Sequence, residues 1–350
     1  MATDALSDLL ARVPPADPDA ATDAEARLAA LATPPGALGD LGALGVRLAG
    51  STARCPPPTF EHATVVVAAG DHGVHAQGVS PWPQAITGLM ATTVAEGRAG
   101  VSAIANAVGA EVVVLDVGIA TELPDDVAVH DGRVVAGTRD ATLEDALTRE
   151  EATAALLAGA LTAQRAVGEG TQLLVTGDLG IANTTASAVL VAACTGTDAA
   201  AATGRGTGID DETLARKVAV VEQVLARLPA DVDPLGLLAA VGGAEHAALV
   251  GVLLAGAANR VPVVLDGVIA GAAALVAQRL APQVVDHLVA GHRSSEPGAT
   301  LALAHLGLEP LLDLRMRLGE GSGALLAVPI VRAASAVLRD VATLADLGAG

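Results

Sequence analysis

The sequence predicts an α/β protein, a mostly parallel sheet with helices on both faces. Three observations lead there. Short apolar runs end repeatedly in Gly or Asp. Alanine-rich stretches with helical spacing lie between them. And 52% of the 350 residues are hydrophobic while aromatics are nearly absent: Phe60, Trp82 and no tyrosine. A core of Ala, Val, Leu and Ile, with glycine permitting close backbone approach, suits helices packed tightly on a parallel sheet, whose central strands are buried on both faces.

Taken in order, residues 1 to about 50 read as helical. Asp4–Leu10 has helical spacing, and a second pattern runs from Ala24 to Leu31. Pro34-Pro35-Gly36 breaks the pattern, Ala37–Leu48 resumes it, and Pro56-Pro57-Pro58 forms a stiff connector. The periodicity then changes. Thr64–Ala69 reads as a buried strand ending in Gly70-Asp71-His72-Gly73. Val112–Leu115 ends in Asp116, and Leu173–Val175 in Thr176-Gly177-Asp178. Val261–Leu265 ends in Asp266-Gly267, and Val284–Val289 leads into Gly291-His292-Arg293-Ser294-Ser295-Glu296. From about residue 297 the chain returns to helix. Ligands of such sheets bind beyond the carboxyl ends of the strands, which is where these polar residues fall.

The net charge of −19 disfavours nucleic acid and anionic membranes as partners, while leaving room for a small anion held by a helix N-terminus and one or two cations. Cys55 and Cys194 are far apart and suggest neither a disulfide framework nor a metal set. Met1-Ala2-Thr3-Asp4 lacks the parts of a signal peptide, and apolar runs such as Ala247–Ala258 stop short of a bilayer span. A cytoplasmic protein without membrane contact is expected.

Chemistry concentrates in three glycine-rich loops. In Arg317-Leu318-Gly319-Glu320-Gly321-Ser322-Gly323-Ala324 one carboxylate stands between glycines ahead of an apolar run, so the loop is expected to open a helix with its amides facing a reacting group. The alternative is a surface turn with a solvated Glu. Gly177-Asp178-Leu179-Gly180-Ile181-Ala182-Asn183-Thr184-Thr185 follows a strand and opens a helix, but it is not G-x-G-x-x-G. Gly204-Arg205-Gly206-Thr207-Gly208-Ile209-Asp210-Asp211 precedes a helix carrying Lys217, the only lysine, and lacks the ending of a nucleotide P-loop. Both suit a phosphate held by amides and one cation; a capped tight turn is the alternative for each. A lone lysine in an Arg-biased chain hints at a site needing a compact ammonium. Asp71 and His72 offer a metal pair without further ligand spacing, so no metal is expected. Trp82, in the loop Gly78-Val79-Ser80-Pro81-Trp82-Pro83, could wall a flat aromatic ligand or cover core surface.

Together these blocks resemble the nicotinate-nucleotide:dimethylbenzimidazole phosphoribosyltransferase family. Leu38–Leu44, Ala69–Val74 with Gly78-Val79-Ser80, Gly137-Thr138-Arg139, Gly177–Thr185, Gly204–Asp211 with Lys217, Gly242-Gly243-Ala244-Glu245, Pro262–Gly267 and Arg317–Ala324 occur in family order over nearly the whole chain. The resemblance implies a Rossmann-like large domain (59–296), a small helical domain from both chain ends (1–58 and 297–350), and a homodimer. It implies nicotinate mononucleotide and a benzimidazole base as substrates, no metal or organic cofactor, and Glu320 as catalytic base. Substrate contacts are then expected from Ser80, Trp82, Leu89, Asp178, Leu179, Gly180, Asn183, Thr184, Gly204, Gly206, Thr207, Gly208, Lys217, Ser295, Gly319 and Gly321. Two departures stand out. Asp178 occupies a position where the family usually has Glu, and Leu89 precedes Met90 where the family often has Gln. Two rival readings remain at this level: a nicotinamide-dinucleotide oxidoreductase, weakened by the missing G-x-G-x-x-G, and a non-catalytic base-binding relative.

Overall fold

The computed structural model describes residues 2–124 and 126–348. Three helices come first: α1 (Ala2–Ala11), α2 (Pro18–Ala30) and α3 (Gly39–Thr52). Then follow β1 (Ala63–Gly70), α4 (Ile86–Ala95), α5 (Gly100–Val108), β2 (Ala110–Gly118), β3 (His130–Asp131), α6 (Arg149–Gly168) and β4 (Leu173–Leu179). The chain continues through α7 (Asn183–Thr195), α8 (Ala199–Ala202), α9 (Asp211–Arg227), α10 (Pro234–Val241) and α11 (Ala244–Ala258). It ends with β5 (Val263–Leu265), α12 (Val268–Leu280), β6 (Leu288–Ala290), α13 (Pro297–Leu306) and α14 (Ser322–Asp340).

The strands form one parallel sheet in the order β3-β2-β1-β4-β5-β6. Chain order reverses between β1 and β4, and the crevice above that switch point is where this architecture receives ligands. The period-2 alternation of strand side chains divides the core in two. Val66 and Ala68 of β1 join Leu115, Val117 and Leu174 beneath α6, α11 and α12. Val65, Val67 and Ala69 face the other way, with Val114, Val175 and Val264, against Phe60, α5 and α14. The expected fold is therefore present. Two strands are shorter than expected: Val261–Leu265 forms a strand only over Val263–Leu265, after Pro262, and Val284–Val289 begins as a 3-10 turn over Pro282–His287, set by the proline, so that only Leu288–Ala290 pairs.

Near-absence of aromatics has a visible counterpart. A Cβ on Gly159 of α6 would run into the Ala248 carbonyl of α11, and one on Gly251 of α11 into the Leu156 carbonyl of α6. The two helices thus cross backbone to backbone, leaving no room for large side chains. Near the chain ends, α2 and α3 pack together and α3 packs on α14, while α1 lies on α6. Helix α14 is long and apolar enough to cross a bilayer by length and composition alone. Here it is a packed element: Arg332 donates to the carbonyls of Phe60 and Val108, and Ser335 to those of Pro57 and Pro58.

Candidate active site

A cleft of about 760 Å³, including its open mouth, lies over the carboxyl ends of β4, β5 and β6. The three glycine-rich loops meet there. From the predicted set, Asp178, Leu179, Gly180, Asn183, Thr184, Gly206, Thr207, Gly319 and Glu320 line it.

Glu320 stands on the floor, only 5% exposed. Its backbone is left-handed (φ 63°), as are those of Gly319 (77°) and Gly321 (93°). Such a run is strained for a residue with a Cβ, so the surroundings must hold it. A side chain on Gly321 would strike Val65 and Thr176, and one on Gly177 would strike the Glu320 carbonyl, so the loop is seated directly on the ends of β1 and β4. Asp266, just after β5, completes the clamp. Its carboxylate accepts from the amides of Gly323 and Ala324 (both 2.9 Å) and Gly321 (3.3 Å). Since Gly321, the N-cap of α14, has no side chain, Asp266 supplies the cap from another strand and satisfies amides the helix leaves open. His292 Nε2 lies 3.3 Å from the same carboxylate.

The Glu320 carboxylate receives one backbone bond, from Val101 at 3.2 Å. Burial pushes its pKa above the ordinary value; the Val101 amide offsets part of this, and the charge of Asp266 adds to it. Asp178 accepts from the Asn183 side-chain amide at 2.9 Å through one oxygen, and its other oxygen is buried without a partner. Burial, with Asp266, Glu245 and Glu320 nearby, holds this group well above the usual carboxylate range.

Lys217 lies behind the loop and not on the cleft wall. It is 1% exposed, and its ammonium donates to Thr184 Oγ1 (2.8 Å) and the Gly204 carbonyl (3.0 Å). Burial lowers its pKa to about 8, with Glu296 opposing. Glu296 in turn accepts from the Gly206 amide at 2.8 Å, and a side chain on Gly204 would overlap its carboxylate. Gly204 and Gly208 therefore shape the loop without lining the cleft, as Gly321 does for its own loop. Ser295 faces outward, and its neighbour Ser294 lines the cleft instead. Ser80, Trp82 and Leu89 lie off the wall; Trp82 is 49% and Leu89 59% exposed.

Thr87, Met90, His292, Glu296 and Arg317 also line the cleft without having been singled out as substrate contacts; His292 and Glu296 stood in the expected strand-end block and Arg317 in the Glu320 loop. Thr87 bridges Asp71, to which it donates at 2.6 Å, and the Ile181 amide, from which it accepts at 3.1 Å, tying β1 to the β4 loop. The signal for His292, Ser294 and Glu296 was their position just past a strand. Spacing also hid the partners of His72. Glu245 and His246 come from α11, with the Glu245 carboxylate 2.7 Å from His72 Nε2 and 2.8 Å from His246 Nδ1. The three groups could in principle surround a metal ion. At these separations they hydrogen-bond directly. Burial raises the Glu245 pKa, but the two imidazoles outweigh it and leave the group well below the usual carboxylate range.

Comparison with known proteins gives the family. A family model described as phosphoribosyltransferase matches residues 13–348. The chain is 51% identical to a nicotinate-nucleotide–dimethylbenzimidazole phosphoribosyltransferase from Salinispora tropica, across 97% of each protein. It is 50% identical to one from Mycobacterium avium, again across 97% of each. Its fold superposes on the crystal structure of CobT from Thermus thermophilus with a TM-score of 0.92 at 45% identity, covering 95% of this chain and 99% of that one. Cleft, loops and full-length similarity together establish that the chain belongs to the nicotinate-nucleotide–dimethylbenzimidazole phosphoribosyltransferase family and is a phosphoribosyl-transferring enzyme.

Proposed function

We propose that the enzyme moves the 5-phosphoribosyl group of nicotinate mononucleotide to 5,6-dimethylbenzimidazole or a related base, giving α-ribazole phosphate and nicotinate with inversion at C1′. The observation that carries this reading is Glu320: a buried carboxylate with one backbone contact, opening on a cleft whose other loops suit a nucleotide.

In the donor, the pyridine nitrogen is bonded to ribose and carries positive charge, so its departure as a neutral ring needs no acid. The acceptor is a neutral benzimidazole with one lone pair and one N–H. As the lone pair attacks C1′, positive charge grows on the base, and loss of the N–H proton cancels it. Glu320 is the group to take that proton; its raised pKa makes it a better base than an exposed carboxylate. Attack opposite the departing ring converts β to α. The rest of the cleft holds two flat rings on opposite faces of one sugar. Asp178, Leu179, Gly180, Asn183, Thr184, Gly206, Thr207 and Gly319 contact substrates in this reading, with Lys217 supporting the nucleotide loop from behind.

The reading further takes residues 1–58 and 297–350 as a small helical domain, 59–296 as the large one, a cytoplasmic location and a homodimer in which Ser80, Trp82 and Leu89, outside the cleft of a single chain, meet the second copy. Purified protein incubated with nicotinate mononucleotide and a panel of bases, with products identified by mass and the anomer by NMR, tests the reaction. Absence of any riboside phosphate with benzimidazoles and purines alike overturns it.

A further inference from the structure

We infer that Asp266 is a positioning residue of the transfer: by occupying the amides that open α14, it keeps the Glu320 carboxylate short of partners and facing the cleft. This rests on Glu320 acting as the base, as proposed above. Glu320 stands directly before the N-terminus of α14. Helix N-termini offer free amides and positive charge, which favour a nearby carboxylate. A bond of that kind would stabilise the ionised acid and blunt it as a base. Here the amides of residues 321 to 325 are all taken. Those of Gly321, Gly323 and Ala324 donate to Asp266. The Ser322 amide donates to the Gly319 carbonyl and that of Leu325 to the Gly321 carbonyl, both at 3.0 Å. The Glu320 carboxylate is left with the Val101 amide of α5.

Asp266 is itself firmly held. It is buried, and its amide donates to Thr176 Oγ1 at 3.0 Å, while that hydroxyl donates to the Val264 carbonyl at 3.2 Å. Its place is thus fixed from β4 and β5. A Cβ on Gly291, just past β6, would strike Ala324, so the opening of α14 is pressed against β6 as well. The charge of Asp266 acts in the same direction as its hydrogen bonds, because it opposes ionisation of Glu320. The other ionisable groups around the two carboxylates are Asp178 on β4, His292 and Glu296 past β6, and Arg317 on the Glu320 loop; α4 and α5 carry none. Of these, His292 lies against Asp266 through Nε2, and its Nδ1 is buried without a hydrogen-bond partner.

The test measures kcat, both KM values and the pH profile of kcat/KM with nicotinate mononucleotide and dimethylbenzimidazole. Asp266→Asn keeps the shape and removes the charge. Its acid limb should move to lower pH by about one unit, and kcat at neutral pH should fall about 3- to 10-fold as the base weakens. Asp266→Glu keeps the charge and displaces the carboxylate by one methylene. Its kcat should fall about 10- to 100-fold through misplacement of the loop, with the acid limb near that of wild type and both KM values little changed. Placed in Glu320→Gln, neither substitution should slow the enzyme further, because the effect runs through Glu320. A merely structural role lowers Tm and activity without moving the acid limb. An unmoved limb in folded Asp266→Asn, or an equal further loss in the Glu320→Gln background, overturns the assignment. If Asp266→Asn does not fold, Asp266→Glu decides, and wild-type kcat there overturns it. Slow Glu320→Gln with unaffected Asp266 variants refutes this assignment alone; full activity in Glu320→Gln refutes the functional reading and the assignment with it.

Discussion

Two buried glutamates sit on opposite sides of this molecule's chemistry. Glu245 is fully enclosed and shared by two imidazoles, and its charge is stabilised to well below the usual carboxylate range. Glu320 is nearly as buried, yet it has a single amide and opens on the cleft, so burial wins and its pKa rises. Both stand beside glycines and both follow the same physics. What separates them is the number of partners. A carboxylate whose charge is already matched has no use for a further proton, whereas one left short of partners is ready to take it from a ligand.

The sharpest way to break this contrast is Glu320→Gln. The amide keeps shape and a hydrogen bond but takes no proton, so kcat should fall by roughly 10²–10⁴, with stability little changed. In wild type, kcat/KM should decline on the acid side with a midpoint above the ordinary carboxylate value of 4.5, because protonation removes the base. Full activity in Glu320→Gln, measured by product mass, would end its role.

Glu245→Gln should do the reverse. Removing the centre of a buried charged cluster should lower stability by about 3–5 kcal/mol, read from urea unfolding, with kcat per folded molecule retained. The signs follow from linkage. Glu245 has a depressed folded pKa, so its contribution is present above the unfolded value and lost only as pH falls through the folded one. His72 has a raised pKa, because Glu245 outweighs the lowering by burial; its share is lost as pH rises through that raised value. The gap between wild type and variant should therefore narrow at both extremes and persist between them. A gap that is flat with pH would show that packing and not charge is at stake.

Asp178→Asn sharpens the comparison from a third carboxylate. Its folded pKa is raised by burial and neighbouring charges, so ionisation works against folding as pH rises above the unfolded value. The variant should gain Tm at neutral and alkaline pH, and the gain should vanish at acid pH. If Asp178 also contacts a substrate, its KM shifts at the same time. The smallest effect is expected for Leu89→Gln. An exposed residue off the cleft wall should alter relative kcat/KM among dimethylbenzimidazole, benzimidazole and adenine by less than about threefold, the range of ordinary surface substitutions. A larger change would bring position 89, by way of a second copy, into the base pocket.

The fold was legible because continuous apolar runs such as Thr64–Ala69 and Leu173–Val175 have no reason to exist outside a sheet covered on both faces. The Glu320 loop was legible because glycine on both sides of an acid has few other uses. Local pattern could not show long-range partnership. His72 meets Glu245 across 173 positions, and Asp266 caps a helix 55 to 58 positions away. For Lys217 rarity marked a residue as needed, and only packing shows that its ammonium is engaged by Thr184 and Gly204 behind the cleft wall.

The scarcity of aromatics, which let α6 and α11 cross so closely, leaves Trp82 as the only tryptophan, with no tyrosine beside it. It is half exposed, in a loop two residues before Gln84, whose side chain donates to the His72 carbonyl at 2.8 Å. Intrinsic fluorescence of this protein is therefore a local optical probe. It reports the loop that leads into α4, whose Ile86, Thr87 and Met90 line the cleft, while circular dichroism follows the helices. A fluorescence change on adding substrate, without any change in helix signal, would read out events at the mouth of the site from a single built-in dye.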